Sequence, residues 1–411
     1  MTSEIKARID QIRHGEIPEG YKRSKYGIIP QSWCTVKMGE CIKEYKYLSN
    51  DISHIPVYSS SRHGLIPQSD YFDQKKAVET NLGYKIVPKE YVTYRHMSDD
   101  DVFHFNINTT GGNILVSSEY PVFTSSEGYN LFFLISVLNN TSRFRYFCKT
   151  QKLGGTRTRL YIENLKQYDI VLPPFNEQNE IAEILAGQDK VIELKEKLLA
   201  EKQEQKKYLM QRLLTGKKRL PGFQGKWKYL HAKNIFANIV NKKHDGSLEV
   251  LSATQDRGII PRSHVDIDIK YDKSSLGSYK KVEAGNFVIS LRSFQGGIEY
   301  SEYTGLVSPV YTVLAPCIPI TDMYYKHLFK SSDYIARLNV AVYGIRDGKQ
   351  ISYDDFGRIR IPYPPIEEQQ AIAQILVTTD REIELLQKDI DQEKQKKKAL
   401  MQLLLTGIVR V

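Results

Sequence analysis

Two groups of residues in the sequence have types and spacings that could perform chemistry. Two carboxylates and a lysine alternate in Asp266-Ile267-Asp268-Ile269-Lys270, a pattern with which some nucleases hold Mg²⁺ and polarise a phosphate. His96 is followed closely by Asp99–Asp101, and such donors can bind a metal. The triplet arises often by chance and has no equivalent in the first half of the chain, so an edge strand explains it better. A polar loop likewise explains the His96 group, and we predict no metal site and no catalytic residue.

A third group is a Pro-Pro pair in Leu172-Pro173-Pro174-Phe175, which looks like the [D/N]-P-P-[Y/F] motif of amino-methylating enzymes. In that motif the first side chain hydrogen-bonds the target amine. Leu172, and Tyr363 at the second Pro-Pro pair, cannot accept that bond. The sequence also lacks a GxG cofactor loop. We therefore interpret each Pro-Pro pair as the start of a helix, because proline cannot lie inside one.

Basic residues with aromatic or glycine neighbours are better candidates, for binding nucleic acid rather than for catalysis. Arginine can bond guanine bidentately or grip phosphate, and glycine lets a loop approach a groove closely. Two loops with flanking glycines, 154–159 and 343–349, precede equivalent predicted strands. The residues predicted to contact DNA are Arg95, Arg157, Arg159, Arg292, Arg346 and Lys349. Further basic side chains of the same kind are Arg143, Arg145, Arg257 and Arg262.

The net charge of +10 lies outside two helical stretches. Residues 176–214 and 366–404 contain 13 Lys or Arg against 16 Asp or Glu, which leaves 45 basic and 32 acidic residues elsewhere. A basic surface of that size indicates a polyanion partner, most often nucleic acid. Solvated lysines without a partner are the alternative on charge alone.

The composition also indicates the cellular compartment in which the protein is expected. The cysteines show no CxxC-type spacing; they are Cys34, Cys41, Cys148 and Cys317. Reduced thiols in a cytoplasmic protein fit this pattern better than a zinc site. No apolar run approaches 18 residues and no charged-then-apolar leader is present. We therefore expect neither a membrane span nor an export signal.

The elements that must position these residues occur twice in the chain, as an internal sequence repeat. Residues 172–216 and 363–407 align at an offset of 191 without a gap, and 22 of the 45 positions are identical. Each copy begins at a Pro-Pro pair and ends at a glycine that can cap a helix. The spacing predicts two helices of about 38 residues, each roughly 57 Å long.

Both helices carry side chains at alternating spacings of four and three, which is the pattern of a coiled coil. The first seam contains Ile181, Leu185, Gln188, Ile192, Lys195, Leu199, Lys202, Lys206, Leu209 and Leu213. The second contains Ile372, Leu376, Thr379, Ile383, Leu386, Ile390, Glu393, Lys397, Leu400 and Leu404. We predict that the helices pair antiparallel about a pseudo-twofold axis. The lysines of the polar band near 202–206 and 393–397 could face acidic residues of the other copy or solvent. Helices that only cover their own sheets are the alternative.

The similarity of the two helices suggests that they pack on each other and on identical partners. The residues assigned to the coiled coil and to docking are Ile181, Leu185, Ile192, Leu199, Ile372, Leu376, Ile383 and Ile390. The globular segments share fewer positions, such as Leu115-Val116-Ser117-x-x-Tyr120-x-Val122 and its copy 191 residues later. Diverged domains on a common frame imply one kind of ligand read with two specificities.

The residue pattern of each globular segment predicts short strands and turns together with one helix. That helix is Leu131–Phe147 in the first segment and Met323–Leu338 in the second. The fold class is therefore α+β: two mixed α/β domains separated by an antiparallel coiled coil of two long helices. The predicted boundaries are an N-terminal helix at 1–20, domains at 21–172 and 220–362, and long helices at 173–219 and 363–411.

The chain resembles the specificity subunit of type I restriction–modification systems over essentially all 411 residues. The resemblance lies in the paired Pro-Pro-x-x-Glu-Gln-x-x-Ile-Ala-x-Ile-Leu segments at 173–185 and 364–376, and in the Leu-Met-Gln-x-Leu-Leu-Thr-Gly ends. Arg219–Phe223 leading to Trp227 and the run Leu291–Gly297 add to it. The first domain departs from this run, with Tyr94-Arg95-His96-Met97-Ser98 in its place, which leaves its DNA contacts less defined than its fold.

The resemblance implies two target recognition domains that each read half of a bipartite site in double-stranded DNA. Two adenine-N6 methyltransferase subunits would dock on the repeated helices, and motor–nuclease subunits would complete a restriction complex. AdoMet, ATP and magnesium would belong to those partners, with no cofactor in this chain. A coiled-coil scaffold that organises proteins without reading DNA is the alternative function.

Overall fold

A computed structural model describes residues 3–68, 83–152, 154, 156–265, 273–341 and 351–411. The chain forms two compact units: unit 1 contains Met1–Leu194 with Ile390–Val411, and unit 2 contains Lys195–Asp389. Each unit therefore combines one globular segment with parts of both long helices. Within the described residues, no helix is both long enough and apolar enough to cross a membrane.

Unit 1 is built from short antiparallel strands and short helices that precede a long one. Its strands are β1 Tyr21–Ser24, β2 Gly27–Pro30, β3 Cys34–Lys37, β4 Ile42–Glu44, β5 Leu48–Ser49, β6 Tyr58–Ser61, β7 Gly64–Pro67, β8 Tyr84–Val87, β9 Val92–Thr93, β10 Met97–Ser98, β11 Asn106–Ile107, β12 Ile114–Ser117, β13 Val122–Ser125, β14 Thr158–Arg159 and β15 Asp169–Leu172. Its helices are α1 Ser3–Arg13, α2 Met38–Cys41, α3 Leu131–Asn140, α4 Ser142–Thr150, α5 Ile162–Lys166 and the first part of α6 Phe175–Leu213.

Unit 2 repeats this plan. Its strands are β16 Lys228–His231, β17 Phe236–Ile239, β18 Leu251–Thr254, β19 Gly258–Pro261, β20 Lys280–Val282, β21 Phe287–Ile289, β22 Glu299–Tyr300, β23 Gly305–Val307, β24 Thr312–Pro316 and β25 Arg360–Tyr363. Its α-helices are α7 Ser293–Gly296, α8 Asp322–Phe329, α9 Ser332–Ala341, α10 Tyr353–Arg358 and the first part of α11 Ile366–Leu404; 3-10 turns occupy Ala232–Asn234, Arg262–His264 and Lys273–Ser278.

Four sheets of unit 1 recur in unit 2, whereas β1–β2, β10–β14 and the edge strand β5 have no counterpart among the described residues of unit 2. The central sheet has the order β11-β9-β13-β4 in unit 1 and β17-β24-β21-β22 in unit 2. The pairs β8–β12 and β20–β23, β3–β15 and β16–β25, and β6–β7 and β18–β19 recur in the same way. All of these pairings are antiparallel. The predicted α+β fold with an internal repeat is confirmed.

The single helix predicted in each domain is wrong in one respect: each is two helices. In unit 1 the break is Thr141, which has extended backbone angles and whose hydroxyl donates to the carbonyl of Val137. In unit 2 the break is at Lys330 and Ser331, and the Ser331 hydroxyl donates to the carbonyl of Leu328. A hydroxyl that bonds a carbonyl of the last turn competes with the next helical bond and favours a stop.

The two long helices each span 39 residues. They begin two or three residues after the predicted starts at 173 and 363, but they end six and seven residues before the predicted boundaries at 219 and 411, close to the predicted capping glycines Gly216 and Gly407. The predicted seam residues are buried or half-buried without exception. The first turns of each helix also enter the core of the unit in which it starts, since Ile181 and Leu185 lie in the core of unit 1 and Ile372 and Leu376 in that of unit 2. The helices therefore cover their own domains at the start and form a coiled coil further along.

The polar band lies against acidic residues of the other helix, which resolves the alternative left open by the sequence. In unit 1, Lys397 pairs with Asp189, and Gln188 donates to the Glu393 carboxylate at 2.7 Å. In unit 2, Lys206 Nζ lies 2.5 Å from Asp380 Oδ1. Residue numbers rise on one helix as they fall on the other, as Lys195–Asp389 and Lys202–Glu382 show within unit 2, so the pairing is antiparallel.

A buried glutamate lies in the first turn of each long helix. In unit 1, both Glu177 oxygens accept from the Arg410 guanidinium, at 3.0 and 2.8 Å, and the Trp33 indole N–H donates to the same carboxylate at 3.3 Å. In unit 2, Glu368 is fully buried and accepts from Arg219 at 2.6 and 2.7 Å and from Trp227 at 2.8 Å. Each arginine follows the end of the other long helix, so the carboxylate joins the start of one helix to the end of the other.

The neighbouring glutamine has an equally fixed role. Gln178 donates to the Pro173 carbonyl and accepts from the Asn130 backbone N–H, both at 3.0 Å. Gln369 makes the equivalent bonds to Pro364 and Thr321, both at 2.9 Å. The repeated Pro-Pro-x-x-Glu-Gln sequence thus specifies the junction of strand, helix and domain in each unit.

Replacing Arg219 with alanine should destabilise unit 2 by about 3–5 kcal/mol, because it leaves the Glu368 carboxylate buried without its cationic partner. Hydrogen exchange during chemical denaturation would measure this loss unit by unit. Lys202→Ala is the matched control: its ion pair with Glu382 is half exposed, and its loss should cost less than about 1 kcal/mol. Equal effects of the two substitutions would contradict the role given to the buried carboxylate.

Candidate nucleic-acid interface

Three of the predicted arginines of unit 1 lie together on one face of a small sheet. Strand β10 pairs with β14 so that Met97 lies opposite Arg159 and Ser98 opposite Thr158. Side chains alternate between the two faces of a strand. Accordingly Arg95, Arg157 and Arg159 are exposed, whereas His96, Ser98 and Thr158 are buried. Arg95 lies 62 and 64 positions before Arg157 and Arg159 in the chain, and the strand pairing brings the three to a common basic surface.

Two of the aspartates that follow His96 orient arginines instead of binding a metal. Asp99 Oδ1 accepts from Arg157 Nε at 2.8 Å, and Asp100 Oδ1 accepts from Arg62 Nη2 at 2.6 Å. Asp101 accepts from the hydroxyl of Thr158. Hydrogen bonds from Ser98 and Arg62 hold the pKa of Asp100 below its usual range although burial opposes them. These contacts orient the guanidinium groups of Arg62 and Arg157 at the surface.

His96 lies beneath the basic face and is kept neutral. Burial lowers the pKa of His96, Glu119 raises it, and the charges of Arg159, Lys85 and Arg95 lower it further. Its ring stacks on Tyr161, with ring centroids 5.6 Å apart, and its Nδ1 has no hydrogen-bond partner in the described part of the chain. A neutral imidazole adds no charge, so the basic character of this surface comes from its arginines.

An open cleft of about 380 Å³ adjoins this surface in unit 1. Arg95 and Asp99 line it on one side, and the β6–β7 turn lines it on another with Arg62 and His63. Tyr120, one of the framework positions repeated at offset 191, also contributes. The cleft therefore combines cationic groups with an aromatic ring, a combination suited to nucleic acid.

In unit 2 the predicted Arg292 is exposed and precedes the short helix α7. Burial raises the pKa of Tyr311, which is the copy of Tyr120, and the charges of Arg262 and Arg292 lower it. Arg346 and Lys349 lie outside the described residues, as does the 266–270 segment. Arg143 packs over the rings of Tyr26 and Tyr168 and so has a structural partner within unit 1.

Arg95 and Arg292 do not occupy equivalent positions. In the central sheets Thr93 pairs with Val122 and Val288 pairs with Val313, and Val122 and Val313 are equivalent by the 191-residue offset. Arg95 therefore corresponds to Ser290, and Arg292 to Met97. The same loop after the same strand places its arginine two residues further along in unit 2.

The Arg292 loop is fixed by close backbone packing and by a buried ion pair. A side chain at Gly297 would lie 2.0 Å from the Phe329 carbonyl oxygen, and φ there is +81°. Lys330 Nζ donates to Gly296 O at 2.8 Å, to Gln255 O at 3.1 Å and to the buried Glu299 at 2.6 Å. One ammonium group thus joins this loop to the β18–β19 turn.

The β6–β7 and β18–β19 turns are exposed polar elements, of which the sequence pattern indicated Arg257 but not Arg62. Arg62 and His63 are exposed at the first turn and Gln255–Arg257 at the second. A sequence signal was present: Gly64-Leu65-Ile66-Pro67 and Gly258-Ile259-Ile260-Pro261 are near-copies that each follow a polar turn. Their offset is 194 residues, which differs from the 191 that relates the two long helices.

The residues assigned to the coiled coil and to docking lie largely inside the chain's own packing. Six of them are buried: Ile181, Leu185, Ile192, Ile372, Leu376 and Ile390. Leu199 and Ile383 are half-buried. The exposed apolar side chains of the same helices include Ile184, Val191 and Leu194 on α6 and Val377 and Leu385 on α11. A docking subunit would reach this second group.

Among the described residues, no group of three or more His, Cys, Asp or Glu side chains could hold a metal ion. The four cysteines are unpaired. Burial raises the pKa of Cys41 and of Cys148 to about 12, so neither thiol is a nucleophile at neutral pH.

Comparison with known proteins assigns this arrangement to a family. The model of the type I restriction modification DNA specificity domain matches residues 33–202 and 231–394, and the chain belongs to this family. It is 24% identical, over 96% of its length and 97% of the relative's, to a putative type I restriction enzyme MjaX specificity subunit of Methanocaldococcus jannaschii. The MjaVIII specificity subunit of the same organism is 26% identical over 64% of this chain and 68% of its own length. The fold is similar to the S subunit of a type I restriction–modification system from M. genitalium, with a TM-score of 0.55 and 14% identity over 90% of this chain and 96% of that one.

The family answers the question of catalysis. Specificity subunits are not enzymes, and the reactions of type I restriction–modification systems take place in partner subunits. The exposed arginines of unit 1 and Arg292 of unit 2 stay candidates for binding groups.

Stability should fall between about pH 4.5 and pH 7 because of Glu299. Burial raises the pKa of this carboxyl to about 7 against the opposing charge of Lys330. The folded protein therefore binds the proton more tightly than the unfolded chain, and this contribution is complete below the unfolded pKa and lost as pH rises to 7. Denaturation midpoints at pH 5 and pH 8 should converge in Glu299→Gln. Glu302→Gln, at an exposed ion pair with Lys326, should keep the wild-type difference.

Proposed function

We propose that this chain reads a bipartite site in double-stranded DNA, with the globular part of each unit reading one half. Three features support the proposal: the family, the excess of basic residues outside the long helices, and the exposed arginines on equivalent loops. The residues proposed to contact DNA are Arg95, Arg157 and Arg159 for the first half and Arg292, Arg346 and Lys349 for the second.

The observation that carries this proposal is the shift of the arginine within a common frame. The loop after the central strand is present in both units, yet Arg95 corresponds to Ser290 and Arg292 to Met97. A purely structural loop would keep its side chains, and a loop that grips only phosphate would keep its charges. A shift of the reading group along the same loop is what two different base sequences require.

The paired helices are proposed to set the spacer between the half-sites. The pair Asp189–Lys397 in unit 1 and the pair Asp380–Lys206 in unit 2 consist of equivalent residues at offset 191, formed once in each unit. Such reciprocal pairs favour one register of the antiparallel helices. A fixed register of the two helices is the physical basis proposed here for a fixed spacer.

The exposed sides of the same helices are proposed to dock two methyltransferase subunits. Leu194 and Leu385 are equivalent residues and are 53% and 50% exposed. Apolar side chains that are exposed at equivalent positions of both copies suit two copies of one partner. AdoMet would bind those subunits, and ATP and Mg²⁺ would bind restriction motor–nuclease subunits that complete the complex in the cytoplasm.

The experiment that tests the function uses the chain assembled with its methyltransferase partner and a random-sequence duplex library retained on filters. We expect selection of two short motifs at a fixed separation. Arg159→Ala should weaken the first motif alone and Arg292→Ala the second alone, each by about 5- to 150-fold in discrimination. Selection of one contiguous motif, or of none, would refute the proposal.

Shortening both helices by one heptad should shorten the spacer and leave the two motifs unchanged. Deleting 196–202 together with 382–388 removes facing segments, since Lys202 pairs with Glu382. Seven residues correspond to about 10 Å, or roughly three base pairs. Deleting only one of the two segments is the control, because it puts the remaining Asp–Lys pairs out of register and should abolish assembly. An unchanged spacer in the double deletion would show that the helices do not set it.

A further inference from the structure

Each unit contains one hairpin whose stem is the same and whose turn differs. Ser61 donates its hydroxyl to the Gly64 carbonyl at 2.9 Å and accepts from the His63 N–H at 3.0 Å. Thr254 makes the equivalent bonds to Gly258 at 2.9 Å and Arg257 at 3.2 Å. Both glycines have positive φ, +103° and +73°, which closes the turn.

The residues enclosed by this common frame vary in number and in kind. The first turn holds Arg62-His63, and the second holds Gln255-Asp256-Arg257. All five side chains are exposed. The two hairpins therefore share the stem, the hydroxyl group that closes the turn and the glycine. They differ in the side chains that the turn exposes to solvent.

Both turns adjoin the loop that carries the proposed DNA-contacting arginine of their own unit. In unit 1, Arg62 bonds Asp100, and the turn lines the same cleft as Arg95. In unit 2, Lys330 joins the Gln255 carbonyl to the Gly296 carbonyl, just beyond Arg292. Because one contact is a surface ion pair and the other is made by a partly buried ammonium group, unrelated interactions produce the same placement.

We propose that these two turns enter the major groove and read base edges, a role that rests on the proposed function. The major groove admits a two-stranded β-ribbon, which is the shape of each hairpin. Arginine pairs with guanine, glutamine with adenine, and aspartate accepts from the amino group of cytosine. Arg62 and Arg257 thus suit guanine, Gln255 suits adenine and Asp256 suits cytosine.

The arginines of both turns are oriented in the free chain. Arg62 Nη2 lies 2.6 Å from Asp100 Oδ1, and Arg257 Nη1 donates to the His264 carbonyl at 3.2 Å. A side chain that is already ordered loses less conformational entropy on binding. Both groups keep further N–H donors, since a guanidinium has five.

The test replaces Arg62 and His63 with alanine in the full chain, assembled with its methyltransferase partner, and maps methylation on a random-sequence duplex library. We expect the first motif to lose selectivity by about 5- to 150-fold at one or two positions, with the second motif and the spacer unchanged. Alanine at Gln255, Asp256 and Arg257 should affect the second motif alone. Exchanging segments 62–63 and 255–257 between the hairpins should transfer base preference at those positions.

Arg23→Ala is the matched control: it removes an exposed arginine of unit 1 that donates to the Gly15 carbonyl and lies on another strand. It should leave both motifs intact. The inference is overturned if the turn variants keep the wild-type motifs, or if they weaken binding to all sequences equally. An unchanged thermal unfolding profile separates loss of reading from loss of fold. Failure of the wild-type chain to select any two-part motif would instead overturn the proposed function.

Discussion

The architecture depends on two buried carboxylates that only distant parts of the chain can satisfy. Glu177 and Glu368 lie in the first turn of a long helix, where the helix dipole favours negative charge, yet each is removed from water. An unpaired carboxylate there would cost several kcal/mol, so an arginine and a tryptophan must be brought to it. The arginine follows the end of the other long helix. Satisfying the charge therefore brings the end of one helix to the start of the other in both units.

This requirement explains why the helices and the domains diverge to different degrees. Replacing a seam residue removes a packing partner from the other helix. Replacing a buried glutamate or its arginine leaves the other member of the pair without its hydrogen bonds. The exposed side chains of the hairpin turns and of the loops after the central strands leave no buried charge unsatisfied when they change. Selection on stability thus acts on the junctions, and selection on what the protein binds acts on exposed loops held by those junctions.

The sequence predicted the features that follow from local periodicity and from the repeat. The long helices, their seam, their starts at the Pro-Pro pairs and the α+β plan of the domains are of this kind, because spacing and chain breakers act within a few residues. It did not predict the breaks at Thr141 and Ser331, which depend on hydroxyl groups that bond the preceding turn. It found Arg95 and Arg157 but not their proximity, which depends on strand pairing, and it missed Arg62 because the repeat there is offset by 194 residues.

The division of the chain has a consequence for its synthesis. Unit 2 is one continuous segment, Lys195–Asp389, whereas unit 1 needs both the first 194 residues and the last 22. Glu177 must wait for Arg410, which is 233 positions later, and Tyr21 donates to a carbonyl 386 positions away. Contacts of such separation carry a high closure entropy and form late. Residues 1–194 are thus synthesised before unit 2, but unit 1 is completed after it. A chain truncated before residue 390 would lack a segment that unit 1 needs in order to fold.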